Sequence, residues 1–251
     1  MKKKQMLTLL KKAYPLIFIG AFLAVLIVPL SSLDLNPQAL ESTFFGRLRM
    51  IRAITDLRVA IGDRIFSNAI IGKEGWLFQI SESVIQDYQN DNPFTEKQLA
   101  ELQQNLDEIA AIYQKQGTAL VVVVAPNKSS IYPDYMPAEL QLMRPQSRFD
   151  QVVQYFQQHG QTQILDLRRE LIANRTEHQV YYKTDSHWTE YGAYIAYREI
   201  LNTLHTAHPE LIPRELSDFK PVSMGLVSMD LAGLIGSVRI KEEKIVLKPI
   251  V

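Results

Sequence analysis

The sequence predicts an α/β domain with a layered, mostly parallel sheet, preceded by an N-terminal transmembrane helix. The apolar runs "TALVVVVAP" (118–126) and "QILDL" (163–167) indicate buried strands, and helical patterns alternate with them. Strands that alternate with helices imply right-handed crossovers within one sheet. A third observation, the charge-free apolar run from Ala13 to Leu30, predicts the membrane helix.

The first 30 residues have the pattern of a membrane anchor. As a helix, residues 13–30 span about 27 Å, close to the hydrocarbon thickness of a bilayer. Five lysines precede this run and favour a cytoplasmic position for residues 1–12: Lys2, Lys3, Lys4, Lys11 and Lys12. A cleaved signal peptide is the alternative, because Pro29, Ser31 and Ser32 weakly resemble a processing region. We expect an uncleaved, single-pass protein of the inner membrane with its domain in the periplasm.

The composition excludes some partners. The chain has 27 basic and 27 acidic residues, and setting aside the five leading lysines leaves 22 basic against 27 acidic, a net charge of −5 on the exported part. Nucleic-acid binding is therefore not expected. With no cysteine, the chain has neither disulfides nor thiolate metal sites, and the spacing of its histidines predicts no metal or cofactor.

Two elements are predicted before the main domain pattern begins. Residues 31–67 indicate a helical stalk or linker, because apolar residues recur every three or four positions: Leu40, Phe44, Leu48, Ile51, Ile54, Leu57, Ile61 and Ile65. Residues 68–251 are then assigned to the domain. It opens with "AIIGKEGWLFQI" (69–80), in which the segment 72–75 lies between two apolar runs and predicts a hairpin.

The remaining elements follow in a regular order. Thr95 and Gln98 form a capping box ahead of a helix that Gly117 ends, and its apolar face is Leu99, Leu102, Leu106, Ile109 and Ile112. The segment "ALVVVV" (119–124) is predicted to be a central parallel strand, buried on both faces. A helix at 149–158, the strand at 163–167 and a short helix come next. A strand in "QVYYKTD" (179–185) and a helix at 189–205 complete the pattern.

Polar side chains are expected to meet where the strands end, because reactive groups in such sheets collect at the carboxyl ends. One candidate stretch is 125–137, which carries Asn127, Lys128, Ser129, Ser130 and Tyr132. The other is Asp185 to Thr189. Asp185 and His187 are two residues apart, so in an extended segment both side chains point to one side and can hydrogen-bond. A carboxylate that fixes a histidine tautomer makes the imidazole a general base. The alternative is that Asp185 or Ser186 only caps the next helix.

Four segments resemble the AlgX/AlgJ family of SGNH hydrolase-like alginate O-acetylation proteins. They occur in the family's order: "IIGKEGWLFQ" (70–79), "VVVVAPNKSSIYPDYMP" (121–137), "TDSHWTEYGA" (184–193) and "SMDLAGLIG" (228–236). The resemblance runs from about Gly46 to Gly236. It implies an SGNH hydrolase-like layered fold in a periplasmic or membrane-anchored protein, and acetyl transfer to an exopolysaccharide through a Ser-His-Asp triad. In that triad Asp185 would orient the base and His187 would be the base. The implied partners are a polysaccharide substrate and an acetyl-donating membrane protein.

The nucleophile that the resemblance implies has no clear counterpart. The family's serine lies in a Gly-Asp-Ser type of block after the D-x-H-W motif, whereas this sequence offers only Gly236-Ser237 in that direction. Ser129 and Ser130 precede the motif and more commonly belong to a turn. We therefore expect a domain that is incomplete at its C-terminus, with no serine hydroxyl within about 3.2 Å of a His187 ring nitrogen in a geometry suited to proton transfer. Two function classes stay open, a polysaccharide acetyltransferase or esterase and a noncatalytic carbohydrate-binding or assembly component.

Three conspicuous side chains have two interpretations each. Trp76 is expected in the core, with a sugar-stacking platform as the alternative. Trp188 either forms a wall of the acyl site or packs beneath the helix. Lys128 either meets an anionic substrate group or is solvated.

Overall fold

The computed structural model describes residues 19–20, 22–23 and 47–250. The chain divides into two units, one through Arg58 and one from Val59 onward. The predicted anchor lies outside the described residues except for residues 19–20 and 22–23, which are helical. Within the described part of the chain, no helix has both the length and the apolar content needed to cross a bilayer.

Helices and short strands alternate along the described chain. The α-helices are α1 (Arg47–Ala60), α2 (Glu82–Gln89), α3 (Glu96–Lys115), α4 (Lys128–Ile131), α5 (Arg148–His159), α6 (Arg168–Asn174), α7 (Glu190–Leu204) and α8 (Asp230–Leu234). The strands are β1 (Ala69–Ile71), β2 (Leu77–Gln79), β3 (Val122–Val124), β4 (Ile164–Asp166), β5 (Phe219–Val227) and β6 (Glu242–Pro249). Single 3-10 turns cover Lys73–Gly75, Pro133–Tyr135 and Leu216–Asp218.

The local predictions that rest on turn and cap chemistry are confirmed. Strands β1 and β2 form an antiparallel hairpin across the 72–75 segment, in which Gly75 has φ +76°. Helix α3 begins at the predicted capping box, with the Thr95 N–H donating to Gln98 Oε1 (2.9 Å) and the Gln98 N–H donating to Thr95 Oγ1 (3.3 Å). Gly117 follows the helix with φ +72°, as its role as a stop requires.

The predicted single, mostly parallel sheet is not confirmed. In the described chain the strands form three two-stranded ladders, and only β3 with β4 is parallel, in the register Val122 to Ile164. The other two, β1 with β2 and β5 with β6, are antiparallel. The β5–β6 hairpin has the longest strands and was not predicted; its ladder shifts register near Gly225, which has φ +82°.

The predicted strand in "QVYYKTD" is also wrong, for a physical reason. Three of its backbone N–H groups donate to side chains instead of to a neighbouring strand. The N–H of Val180 donates to the Tyr132 hydroxyl (3.0 Å), and those of Lys183 and Thr184 donate to the Glu242 carboxylate (2.7 and 2.8 Å). What remains of strand pairing is the isolated antiparallel bridge between residues 181 and 188.

Strand β3 is half-buried, which corrects the prediction of a strand buried on both faces. A cavity of about 920 Å³ opens beside it, lined by apolar side chains of β3, β4, α3 and α5 that include Val122, Leu106, Val152 and Ile164. The main core includes Trp76, whose ring stacks on Tyr135 with centroids 4.6 Å apart, and Val123 of β3 packs against this core. Trp76 is 5% exposed, so the core interpretation of this residue is confirmed.

Candidate active site

The D-x-H-W motif lies at the tip of a tight turn rather than in an extended strand. The turn closes through hydrogen bonds from the N–H of Tyr182 to the His187 carbonyl (3.2 Å) and from the N–H of Thr189 to the Val180 carbonyl (2.9 Å). Helix α7 follows directly, and Thr189 Oγ1 caps it by accepting the N–H of Gly192 (3.2 Å). The helix cap is therefore Thr189, and the alternative that assigned the cap to Asp185 or Ser186 is wrong.

Asp185 and His187 are hydrogen-bonded, as predicted. One carboxylate oxygen, Asp185 Oδ1, accepts both the backbone N–H of His187 (2.9 Å) and His187 Nδ1 (2.7 Å). Because an ionised carboxylate can only accept, Nδ1 carries a proton, and in the neutral imidazole Nε2 then carries the lone pair. The imidazole is 75% exposed, whereas the Asp185 side chain is only 14% exposed. This arrangement exposes the imidazole to solvent while a carboxylate of the protein holds its Nδ1.

The Asp185 carboxylate is stabilised in its ionised form. Burial raises the pKa of Asp185, but the hydrogen bonds from His187 and Asp230 together outweigh burial and bring this pKa below its ordinary value. One of these bonds is the Asp230 N–H to Asp185 Oδ2, at 3.3 Å. Asp185 is therefore a carboxylate throughout the neutral pH range.

Asp230, at the start of α8, is a site residue that the sequence analysis missed. Its Oδ1 accepts the N–H of Ser186 (2.7 Å), its Oδ2 is hydrogen-bonded to the Ser186 hydroxyl, and Oδ2 lies 3.5 Å from His187 Nδ1. Asp230 lies within the segment "SMDLAGLIG", so the family resemblance contained the signal, although nothing in local spacing connects it to the turn 44 residues earlier.

The ligand atoms of Asp185, His187 and Asp230 lie within 4.8 Å of one another, which is close enough for a cation. However, the 2.7 Å bond between Asp185 Oδ1 and His187 Nδ1 already occupies the nitrogen that faces the carboxylates. A metal would have to displace that proton. The geometry therefore favours a hydrogen-bonded pair, and the absence of a metal stays a prediction.

Lys128 does not occupy either of its predicted environments. Its side chain is 6% exposed, so it is neither solvated nor placed to meet a substrate. Its Nζ donates to the carbonyls of Tyr182 (3.1 Å), Lys183 (3.3 Å) and Asp185 (2.7 Å). From the opposite side of the same turn, Glu242 of β6 accepts its backbone N–H groups, a contact that sequence reasoning also missed.

Comparison with known proteins identifies the family of this sequence. The sequence profile of the "SGNH hydrolase-like domain, acetyltransferase AlgX" matches residues 69–245, most of the chain. The chain belongs to this family. Two of its relatives are named "Probable alginate O-acetylase AlgJ": the Pseudomonas putida protein is 27% identical over 171 residues, and the Pseudomonas syringae pv. tomato protein is 28% identical over 175 residues. These matches include 63% and 65% of this chain but only 40% and 41% of the relatives, so the chain spans about two fifths of their length.

The fold agrees with that membership. Bacillus cereus PatB1, solved with a sulfonyl adduct, superposes with a TM-score of 0.50 at 15% identity, covering 72% of this chain and 55% of PatB1. At that identity the likeness concerns the fold alone. The SGNH hydrolase-like α/β fold predicted from the sequence is confirmed by the family match over residues 69–245.

In the family context, the position of every candidate serine matters. Ser186 Oγ is 3.2 Å from His187 Nδ1, but that nitrogen is bonded to Asp185, so the contact does not suit proton transfer. Ser237 is 2% exposed, and its Oγ accepts the N–H groups of Arg239 and Ile240 in the turn after α8.

Nor do the two earlier serines reach the base. Ser129 and Ser130 lie in α4, and neither is hydrogen-bonded to His187. Among the described residues, no hydroxyl occupies the hydrogen-bonding position at Nε2.

Proposed function

We propose that this chain acts in O-acetylation of a cell-surface polysaccharide, with Asp185 and His187 as the acid–base pair of acetyl transfer. The observation that carries the proposal is the 2.7 Å bond from His187 Nδ1 to a half-buried, ionised carboxylate, which leaves Nε2 exposed and able to accept a proton. Membership of a family described by the acetyltransferase AlgX supports the same chemistry.

The mechanism follows from the tautomer. Nε2 accepts the proton of an attacking hydroxyl as its oxygen adds to the acetyl carbonyl carbon, and the imidazolium then returns that proton to the leaving oxygen. Asp185 stays ionised and stabilises the imidazolium. In the Ser-His-Asp form of this reaction, a serine is acetylated first and a sugar hydroxyl then takes the acetyl group by the same two steps. The hydroxyl at Nε2 must come from a residue or molecule other than the described serines.

Substrate, partners and location follow from the relatives and from the N-terminal pattern. The AlgJ relatives are named as alginate O-acetylases, which supports an alginate-type exopolysaccharide as acceptor. An acetyl-donating membrane protein would deliver the acetyl group. Residues 13–30 would anchor the chain in the inner membrane, with the domain in the periplasm. A reporter fused after Val251 should then be active only outside the cytoplasm, and cytoplasmic activity would contradict this topology.

The catalytic proposal is tested in the native host, where any missing component is present. The chromosomal copy is changed to encode His187→Ala, and the acetyl ester content of the secreted polysaccharide is measured by NMR. We expect a loss as complete as deletion of the gene, at a normal protein level. The control is His208→Ala, a half-exposed histidine far along the chain from the turn, which should leave acetylation unchanged.

A noncatalytic assembly role is the second candidate, and it is favoured because no hydroxyl of the described residues is hydrogen-bonded to His187 Nε2. It predicts that deleting the gene abolishes acetylation whereas His187→Ala does not. Purified chain should show no acetylesterase activity on 4-nitrophenyl acetate, and His187→Ala should change nothing in that assay. Turnover that His187→Ala abolishes would show that the chain supplies its own nucleophile, with Ser237, Ser129 and Ser130 tested in that order.

A further inference from the structure

The turn that carries Asp185 is held from both sides by residues distant in sequence. Lys128 Nζ binds the carbonyl groups on one side, and the shortest of its three bonds, 2.7 Å, reaches the carbonyl of Asp185 itself. The Glu242 carboxylate binds the N–H groups of Lys183 (2.7 Å) and Thr184 (2.8 Å) and the Thr184 hydroxyl (2.8 Å) on the other side.

Burial and aromatic contacts act in opposite directions on the ammonium group of Lys128. Its Nζ lies 5.1 Å from the ring centroid of Phe78 and 5.7 Å from that of Trp76, and such contacts attract a cation. Burial lowers the pKa of Lys128 to about 7, although the nearby carboxylates of Glu242, Asp185 and Asp230 act in the opposite direction. A buried charge contributes little net stability compared with an apolar side chain of similar volume, so folding stability alone gives no reason for a lysine here.

What this lysine does provide is a fixed position for one peptide group. Lys128 binds the carbonyl of Asp185, and Glu242 binds the N–H of Lys183, two positions earlier. These two hydrogen bonds restrict the backbone from which the Asp185 side chain extends. A hydrogen bond of 2.7 Å to His187 Nδ1 requires that carboxylate to stay within a few tenths of an ångström.

We infer that Lys128, together with Glu242, is a positioning residue that holds Asp185 in place to fix the His187 tautomer. The catalytic consequence of this inference rests on the proposed function, but the geometric statement does not. Without the hydrogen bonds made by Lys128 and Glu242, the backbone of the turn becomes more mobile. The hydrogen bond from Asp185 to Nδ1 is then broken part of the time, and the imidazole populates both neutral tautomers.

The test is the tautomer itself, observed in the folded protein by nitrogen-15 NMR of the histidine ring. In Lys128→Met, which keeps a similar stem and removes the donor, the two His187 ring nitrogens should shift toward values averaged between tautomers. Lys115→Met, an exposed lysine in the last turn of α3, is the matched control and should leave both resonances unchanged.

A second variant keeps the inference testable if Lys128→Met does not fold. Glu242→Gln replaces one of the two acceptor oxygens by an NH2 group, which cannot accept an N–H of the turn, and it should shift the His187 resonances in the same direction. Its control is the neighbouring Glu243→Gln, because Glu243 pairs with Ser223 Oγ (2.6 Å) and not with the turn. If folded Lys128→Met shows the same His187 nitrogen shifts as the wild type, the inference is overturned. If only Glu242→Gln folds, unchanged shifts in that variant overturn it.

The same variants separate this inference from the proposed function. If Lys128→Met changes the tautomer and also lowers polysaccharide acetylation at a normal protein level, both stand. If it changes the tautomer while His187→Ala leaves acetylation intact, the positioning role stands and the catalytic proposal fails.

Discussion

Lys128 should make the domain more stable as the pH rises. This is the direction opposite to that of a surface lysine that forms an ion pair. Its pKa is about 7 in the folded state against 10.5 for an ordinary lysine, because burial disfavours the charged form. Between these two values the unfolded chain binds more protons than the folded one. The free energy of unfolding therefore rises with pH in this window.

The size of this effect follows from the pKa difference. Each pKa unit corresponds to about 1.4 kcal/mol, so this single group should add about 3 kcal/mol to the free energy of unfolding between pH 7 and 9.5. The upper limit of the pH range is chosen to lie below the pH at which the tyrosine hydroxyls ionise. Burial raises the pKa of Tyr182 to about 12 and that of Tyr181 further, so these groups lower stability only above pH 10.

Urea unfolding followed by tryptophan fluorescence measures this directly, because both tryptophans, Trp76 and Trp188, lie in the unit that begins at Val59. Wild type and Lys115→Met should gain stability over the pH range, whereas Lys128→Met should be flat. An equal gain in Lys128→Met would refute the assignment of the pH dependence to this buried amine.

Three further predictions concern other parts of the fold. Gly192→Ala should lower the melting temperature by several degrees, because an added Cβ would lie 2.2 Å from a backbone oxygen, whereas Gly233→Ala meets nothing within 4 Å and should melt like the wild type. Asp107→Ala should cost about 1–3 kcal/mol in urea titrations, because its carboxylate accepts two backbone N–H groups and a hydroxyl beyond α5; an unchanged midpoint would contradict this. Asp185→Asn should reduce polysaccharide acetylation nearly as far as loss of the histidine, since an amide can present a donor to Nδ1 and favour the wrong tautomer.

The parts of the fold that were predicted from sequence are those determined within a few residues. The capping box at Thr95 and the hairpin around Gly75 depend on contacts between neighbours in sequence, so their patterns are visible in the printed letters. The bond from Asp185 to His187 belongs to the same class, because the partners are two positions apart in the sequence.

The parts that were missed depend on partners far apart in the chain. The carboxylate of Glu242 satisfies N–H groups 58 and 59 residues earlier, which turns an apparent strand at 179–185 into a loop. The environment of Lys128 is likewise set by carbonyls 54 to 57 residues later. Local periodicity carries no record of such contacts, so a lysine in a polar loop sequence gave no sign that it would be buried.

The dependence on residues far apart in the chain explains why the D-x-H-W motif alone does not determine the tautomer of His187. The four letters place Asp185 near His187, but the separation of 2.7 Å depends on a turn whose carbonyl groups, N–H groups and adjacent serine are bound by Lys128, Glu242 and Asp230. These three residues come from α4, β6 and α8, which lie on either side of the motif in the chain. A related sequence that keeps the motif but lacks hydrogen-bonding partners at these positions should retain a histidine beside an aspartate without retaining a fixed tautomer. The state of the His187 ring is therefore a property of the folded domain and not of the motif.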